Sequence, residues 1–76
     1  HDQQSRFETL TPRERQVLSQ VMQGRLNKQI AADLGIDERS VKRHRTHLMR
    51  KLEVKSVAEL AQLAVKLGFG TSDSVE

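Results

Sequence analysis

The residues best equipped for chemistry are gathered in "SVKRHRTHLMRK", residues 40–51. From Arg39 to Lys51 the chain carries six basic side chains (Arg39, Lys42, Arg43, Arg45, Arg50 and Lys51) and no acidic one. Two histidines, His44 and His47, stand three apart inside the run. Three chemistries are open to such a stretch. Its cations can neutralise a phosphate backbone. Its N–H donors can address base edges in a duplex groove. Its histidines share one side of a helix and could begin a metal site. A solvated charged face is the bland fourth reading.

Charge distribution narrows the choice. The 76-residue chain has a net charge of +3. Outside residues 39–51 it holds seven basic and ten acidic residues, which sum to −3. A local basic patch on an otherwise acidic body is the footprint of a phosphate-binding surface. A structural zinc site needs four ligands. The chain has no cysteine, its third histidine is His1 at the terminus, and the flanking arginines repel a cation. No metal and no cofactor are therefore expected. An enzyme is not expected either, because there is no phosphate-cradling glycine loop, no G-x-S-x-G and no thiol nucleophile. Base stacking on aromatic side chains serves single-stranded nucleic acids. Phe7 and Phe69 are the only aromatics besides histidine, so duplex DNA is the favoured partner. No apolar run approaches a membrane span and no signal peptide is visible, so no membrane partner is expected and the location is cytoplasmic.

The elements that must position these residues read as four short helices with no strand-like alternation. The first begins at "TPRE", where Thr11 caps, Pro12 takes the first helical position and Glu14 completes a capping box. Leu10, Val17, Leu18, Val21 and Met22 form its stripe, and Gly24 suits the stop. The second begins at Asn27, a cap residue, with Ile30, Ala31 and Leu34 on one face, and ends at Gly35. The third follows Asp37 and runs to Leu52. The fourth begins at Ser56 with Glu59 three residues on, carries Val57, Leu60, Ala61, Ala64 and Leu67, and closes at Gly68. The expected fold is all-α, a four-helix bundle-like domain over 9–69. Residues 1–8 read as a linker or frayed start and 70–76 as a loose tail.

"NKQIAADLGIDERSVKRHRT" (27–46) reads as one helix-turn-helix. Ala31 supplies the small contact where the helices cross and Gly35 the turn. Ile30, Leu34, Ile36 and Val41 lock the second helix onto the first. At about 100° per residue, with Arg39 at 0°, Val41, Leu48 and Leu52 fall near 180–220°. Lys42, Arg43, Thr46 and Arg50 fall on the opposite side, His47 at its edge, and His44 and Arg45 at the two borders of the core. The basic face starts in the first turns, the part of a recognition helix that meets bases in the major groove. Lysine and arginine there can address guanine, and Thr46 a thymine methyl. Ser40 reads equally as a phosphate contact or a solvated hydroxyl, and Arg45 as a phosphate contact or an internal brace.

With "LTPRERQVL" (10–18), "NKQIAADLGI" (27–36), "SVKRHRTHLMRKL" (40–52) and "KSVAELAQLA" (55–64) together, the sequence resembles the LuxR/FixJ-type helix-turn-helix domain, the C-terminal output domain of bacterial response regulators and quorum sensors. The resemblance spans about residues 8–69. It implies base contacts from Lys42, Arg43 and Thr46, to which the wheel adds His47 at the edge of the face. It implies backbone-phosphate contacts from Lys28, Lys51 and Lys55, to which the wheel adds Arg39, Ser40, Arg45 and Arg50. It also implies a homodimer on DNA through the fourth helix, whose apolar surplus offers Leu63, Val65 and Leu67 as a face, and RNA polymerase is an open partner. His44 then takes a packing position that is apolar in most helix-turn-helix proteins, with one ring nitrogen bonded to backbone. The promoter-reading domain of a sigma factor shares the "LTPRERQVL" opening and stays an alternative, as does a protein-interaction module without DNA. His44 and the capped helix at "KS" favour the response-regulator reading.

Overall fold

A computed structural model describes residues 2–66, with side chains from Ser5 onward. Leu67, Gly68, Phe69 and the 70–76 tail lie outside the described residues. Five helices follow in order: α1 (Asp2–Glu8), α2 (Pro12–Met22), α3 (Asn27–Leu34), α4 (Glu38–Leu52) and α5 (Val57–Lys66). The described residues are all-α, and the four helices read from the sequence are α2 to α5. None of the helices is long and apolar enough to cross a membrane.

The additional helix is α1, where the sequence reading places a linker or frayed start. Seven polar-rich residues cannot sustain a helix by propensity. This one is held from outside. Phe7 packs half-buried against the core. Arg6 Nη2 lies 3.3 Å from Glu53 Oε1 beyond the end of α4. The Thr9 hydroxyl donates to the Arg6 carbonyl at 2.6 Å and closes the last turn.

The start of α2 forms as its sequence dictates. Thr11 Oγ1 accepts from the Glu14 amide at 3.1 Å, and Glu14 Oε1 accepts from the Thr11 amide at 2.9 Å. Asp37 caps α4 by accepting from the Ser40 amide at 2.7 Å. That amide and the Ser40 hydroxyl hold the Asp37 carboxyl below the usual carboxylate range. Ser56 Oγ accepts from the Glu59 amide at 3.1 Å, while the Glu59 carboxylate reaches one residue further back, to the Lys55 amide at 2.9 Å.

The start of α3 departs from expectation. Its cap is Leu26, not Asn27, and leucine has no side-chain acceptor. Only half of a capping box forms, with Gln29 Oε1 accepting from the Leu26 amide at 2.9 Å. Asn27 sits one position inside the helix, and its side chain is used elsewhere. Between α3 and α4 the turn is three residues long. Gly35 takes φ +71°, a left-handed conformation that L side chains rarely adopt.

One core joins the elements. Val17, Leu18 and Val21 of α2, Ile30 and Ala31 of α3, Val41, Leu48 and Leu52 of α4, and Leu60 and Leu63 of α5 are all buried. Leu63, expected on a dimer face, is one of them. α4 packs against α1, α2 and α3 at once, so the segment carrying the basic run is the central support of the domain.

Candidate nucleic-acid interface

The exposed side of α4 carries Arg39, Lys42, Arg43, Thr46, His47 and Arg50. The buried side carries Val41, Leu48 and Leu52. Lys28 at the start of α3 and Lys55 before α5 are also exposed. Ser40 is half-exposed, and its hydroxyl accepts a long 3.4 Å bond from Arg43 Nη2. The first turn of α4 is pinned by Asp37, so the N-terminal end of this face is held by a hydrogen bond rather than left to fray.

Two of the cations assigned to phosphate have partners inside the domain. Lys51 Nζ lies 2.8 Å from Glu14 Oε1 and 3.3 Å from the Thr9 carbonyl. Glu14 is only 3% exposed. Burial alone would raise its pKa, but the Lys51 ammonium and the Thr11 amide outweigh that and hold it below 4.5. A buried carboxylate stays ionised only with such partners. Lys51 is thus held by partners inside the domain while its side chain stays 34% exposed. Its physical task is to neutralise Glu14 and tie the end of α4 to the start of α2.

Arg45 is half-buried at the α3–α4 crevice, and its Nη1 donates to Asn27 Oδ1 at 2.6 Å. Of the two roles open to it in the sequence, an internal brace has a partner on the structure. Around this bond lies a shallow depression of about 440 Å³ lined by Asn27, Lys42, Arg45, Thr46 and Met49.

The histidines separate. His44 is half-buried, His47 exposed. Burial first, and then the charge of Arg43, lower the pKa of His44 below the ordinary imidazole value, so it packs in its neutral form near pH 7. The expected bond from its ring to backbone is not formed among the described residues. No group of three His, Cys, Asp or Glu stands together among them as a metal would require. On the presumed dimer helix, Val65 is 60% exposed and Val57 43%, while Leu63 belongs to the core.

Among the contacts that sequence reasoning missed, three bear on the site and its support: Asn27 to Arg45, Glu14 to Lys51, and Arg6 to Glu53. All three join residues far apart in the chain. Only the first left a trace, since a glutamine three residues after Leu26 marks Leu26, rather than Asn27, as the cap position.

The sequence pattern described as "Bacterial regulatory proteins, luxR family" matches residues 8–64, which take in α2 to α4 and most of α5. The chain belongs to the luxR family of bacterial regulatory proteins. This luxR-family domain is 47% identical over 72 residues to the transcriptional regulatory protein FixJ of Rhizobium meliloti, covering 95% of the chain and 35% of FixJ. It is 44% identical over 68 residues to nodulation protein W of Bradyrhizobium diazoefficiens, covering 90% of the chain and 30% of that protein. The solved structure of the response regulator StyR superposes with a TM-score of 0.83 at 48% identity, over 84% of this chain and 32% of that one. The luxR-family chain thus spans about a third of the length of the relatives it matches. It is a DNA-binding domain homologous to those of response regulators.

Proposed function

We propose that this luxR-family domain is the DNA-reading output domain of a bacterial response regulator, acting on specific duplex sequences in the cytoplasm. The observation that carries the reading is the exposed basic face of α4, which has no acid between Arg39 and Lys51, set on the central helix of a helix-turn-helix. α4 enters the major groove, and α1, α2, α3 and α5 buttress it. Lys42, Arg43, Thr46 and His47 address base edges. Lys28, Arg39, Ser40, Arg50 and Lys55 hold the backbone phosphates. The domain has no catalytic role of its own. The kinship with response regulators favours this reading over a sigma-factor domain. Two copies bind half-sites about one helical turn apart. Their contact uses the exposed side of α5, where Val57 and Val65 are solvent-facing, and RNA polymerase is the downstream partner.

Selection of bound duplexes from a random pool tests the function. The expected result is an enriched motif in inverted repeat. A pool without enrichment contradicts sequence-specific reading, and a single half-site contradicts the dimer.

Two substitutions separate the kinds of contact. Lys42→Ala is expected to weaken binding to the selected duplex by about 1–3 kcal/mol and to relax preference at one base position. An equal loss on scrambled duplex, read by titration, would make Lys42 a phosphate contact. Lys28→Ala is expected to weaken all duplexes alike and to flatten the plot of log affinity against log salt by about one unit. An unchanged slope removes Lys28 from the interface.

A further inference from the structure

The bond between Arg45 and Asn27 lies beside the reading face yet points into the domain. Arg45 Nη1 and Asn27 Oδ1 are 2.6 Å apart, both residues are half-buried, and eighteen positions of sequence separate them. Asn27 is free for this because Leu26, not Asn27, occupies the cap of α3. The bond crosses the crevice between the two helices of the helix-turn-helix, in the depression that Lys42 and Thr46 also line.

We propose that Arg45 and Asn27 form a latch that fixes the rotation of α4 against α3, making Arg45 a positioning residue for base reading rather than a phosphate contact. The inference rests on the duplex-reading function proposed above. Its logic is geometric. Lys42 and Arg45 are three residues apart and Thr46 is adjacent, so all three turn with α4 as one body. A side-chain atom about 6 Å from the helix axis moves roughly 1 Å when the helix rotates by about 10°. A hydrogen bond to a base edge tolerates a donor–acceptor spread of only about 0.5 Å. The apolar contacts of Val41 and Leu48 hold α4 against the core, but such packing is non-directional. A charged donor on a carbonyl oxygen is directional and supplies the missing angular restraint. Position 45 thereby influences specificity without touching a base.

The test measures affinity for the selected duplex and for a scrambled one, across a series of salt concentrations. The proteins are the wild type, Asn27→Ala, Arg45→Ala, the double variant and Asn27→Asp, each checked for a native helical spectrum. The selected-to-scrambled ratio is expected to fall about five- to tenfold in Asn27→Ala, which removes no charge, and equally in Arg45→Ala. The double variant is expected to lose no more than either single one, as two halves of one bond should. Asn27→Asp keeps the acceptor and is expected to retain the ratio while binding both duplexes more weakly. The salt slope is expected to stay at its wild-type value in Arg45→Ala. A slope flattened by about one unit there makes Arg45 a phosphate contact and overturns the latch. A wild-type ratio in Asn27→Ala, additive losses in the double variant, or a lost ratio in Asn27→Asp overturns it too. Equal wild-type affinity for the two duplexes overturns the duplex-reading function itself, and the latch's role with it.

Discussion

Leu48→Ala is expected to lower the stability of the domain by about 3–4 kcal/mol. Leu48 has no exposed surface, and it lies on the buried line of α4 with Val41 and Leu52. Because α4 packs against three other helices, the cavity left by the missing methyl groups cannot close by a shift of one neighbour. Part of the loss is the transfer of apolar surface and part is the void. A domain this small has only about 5 kcal/mol to lose. The melting temperature is expected to fall by roughly 15–25 °C. Thermal unfolding followed by circular dichroism measures it, and a fall below about 5 °C would show that Leu48 is not central to the core. DNA binding should be lost only above the lowered melting temperature, where the fold is lost. That contrasts with Lys42→Ala, which should alter recognition and leave the melting temperature in place.

Glu14→Ala is expected to cost about 2–3 kcal/mol. The substitution removes two things at once. The Thr11 amide loses its acceptor, which halves the capping box, and Lys51 loses its buried counter-charge. The figure stays below that for a fully buried ion pair because the Lys51 side chain is 34% exposed and water can resolvate it. The same carboxylate gives the fold an acid limit. Its folded pKa lies below the ordinary value of 4.5, so the unfolded chain binds the proton more readily. The stabilisation is complete above about pH 4.5 and is lost as pH falls through the lower folded value. Acid unfolding of wild type and Glu14→Gln should therefore differ most above pH 4.5 and converge below it. Parallel curves across the whole range would show that the Glu14 charge adds nothing.

Much of the fold is written in local signals. The capping box at Thr11, the caps at Ser56 and Asp37 and the turn at Gly35 each act within four residues, so sequence spacing reveals them. The buried line Val41, Leu48 and Leu52 follows from helical period alone. α1 was not legible in this way. Its helix depends on Phe7 reaching the core and Arg6 reaching Glu53, and neither partner is local. Glu53 itself ends α4 at φ +58°, a position where glycine would have been the signal.

The site divides along the same line. Exposure of Lys42, Arg43, Thr46 and Arg50 follows from the wheel, since a basic face opposite an apolar one can only point outward. Lys51 and Arg45 are different. Both lie nearer the borders of that face, where a long cation can turn outward to phosphate or inward to a partner. The decision belongs to Glu14 and Asn27, on other helices, and sequence spacing says nothing of them. Leu63 shows the converse. α5 holds more apolar residues than one stripe needs, and the tertiary packing chooses Leu63 for the core and leaves Val65 outside.

The central claim is that the face of α4 reads base edges in the major groove. The most direct measurement replaces each purine of the selected duplex in turn by its 7-deaza analogue. This deletes the N7 acceptor that faces the major groove and leaves the minor groove and the phosphates unchanged. The expected result is a loss of about 1–3 kcal/mol at a few positions in each half-site, with one of those losses abolished in Lys42→Ala. Full affinity at every substituted position would contradict the account.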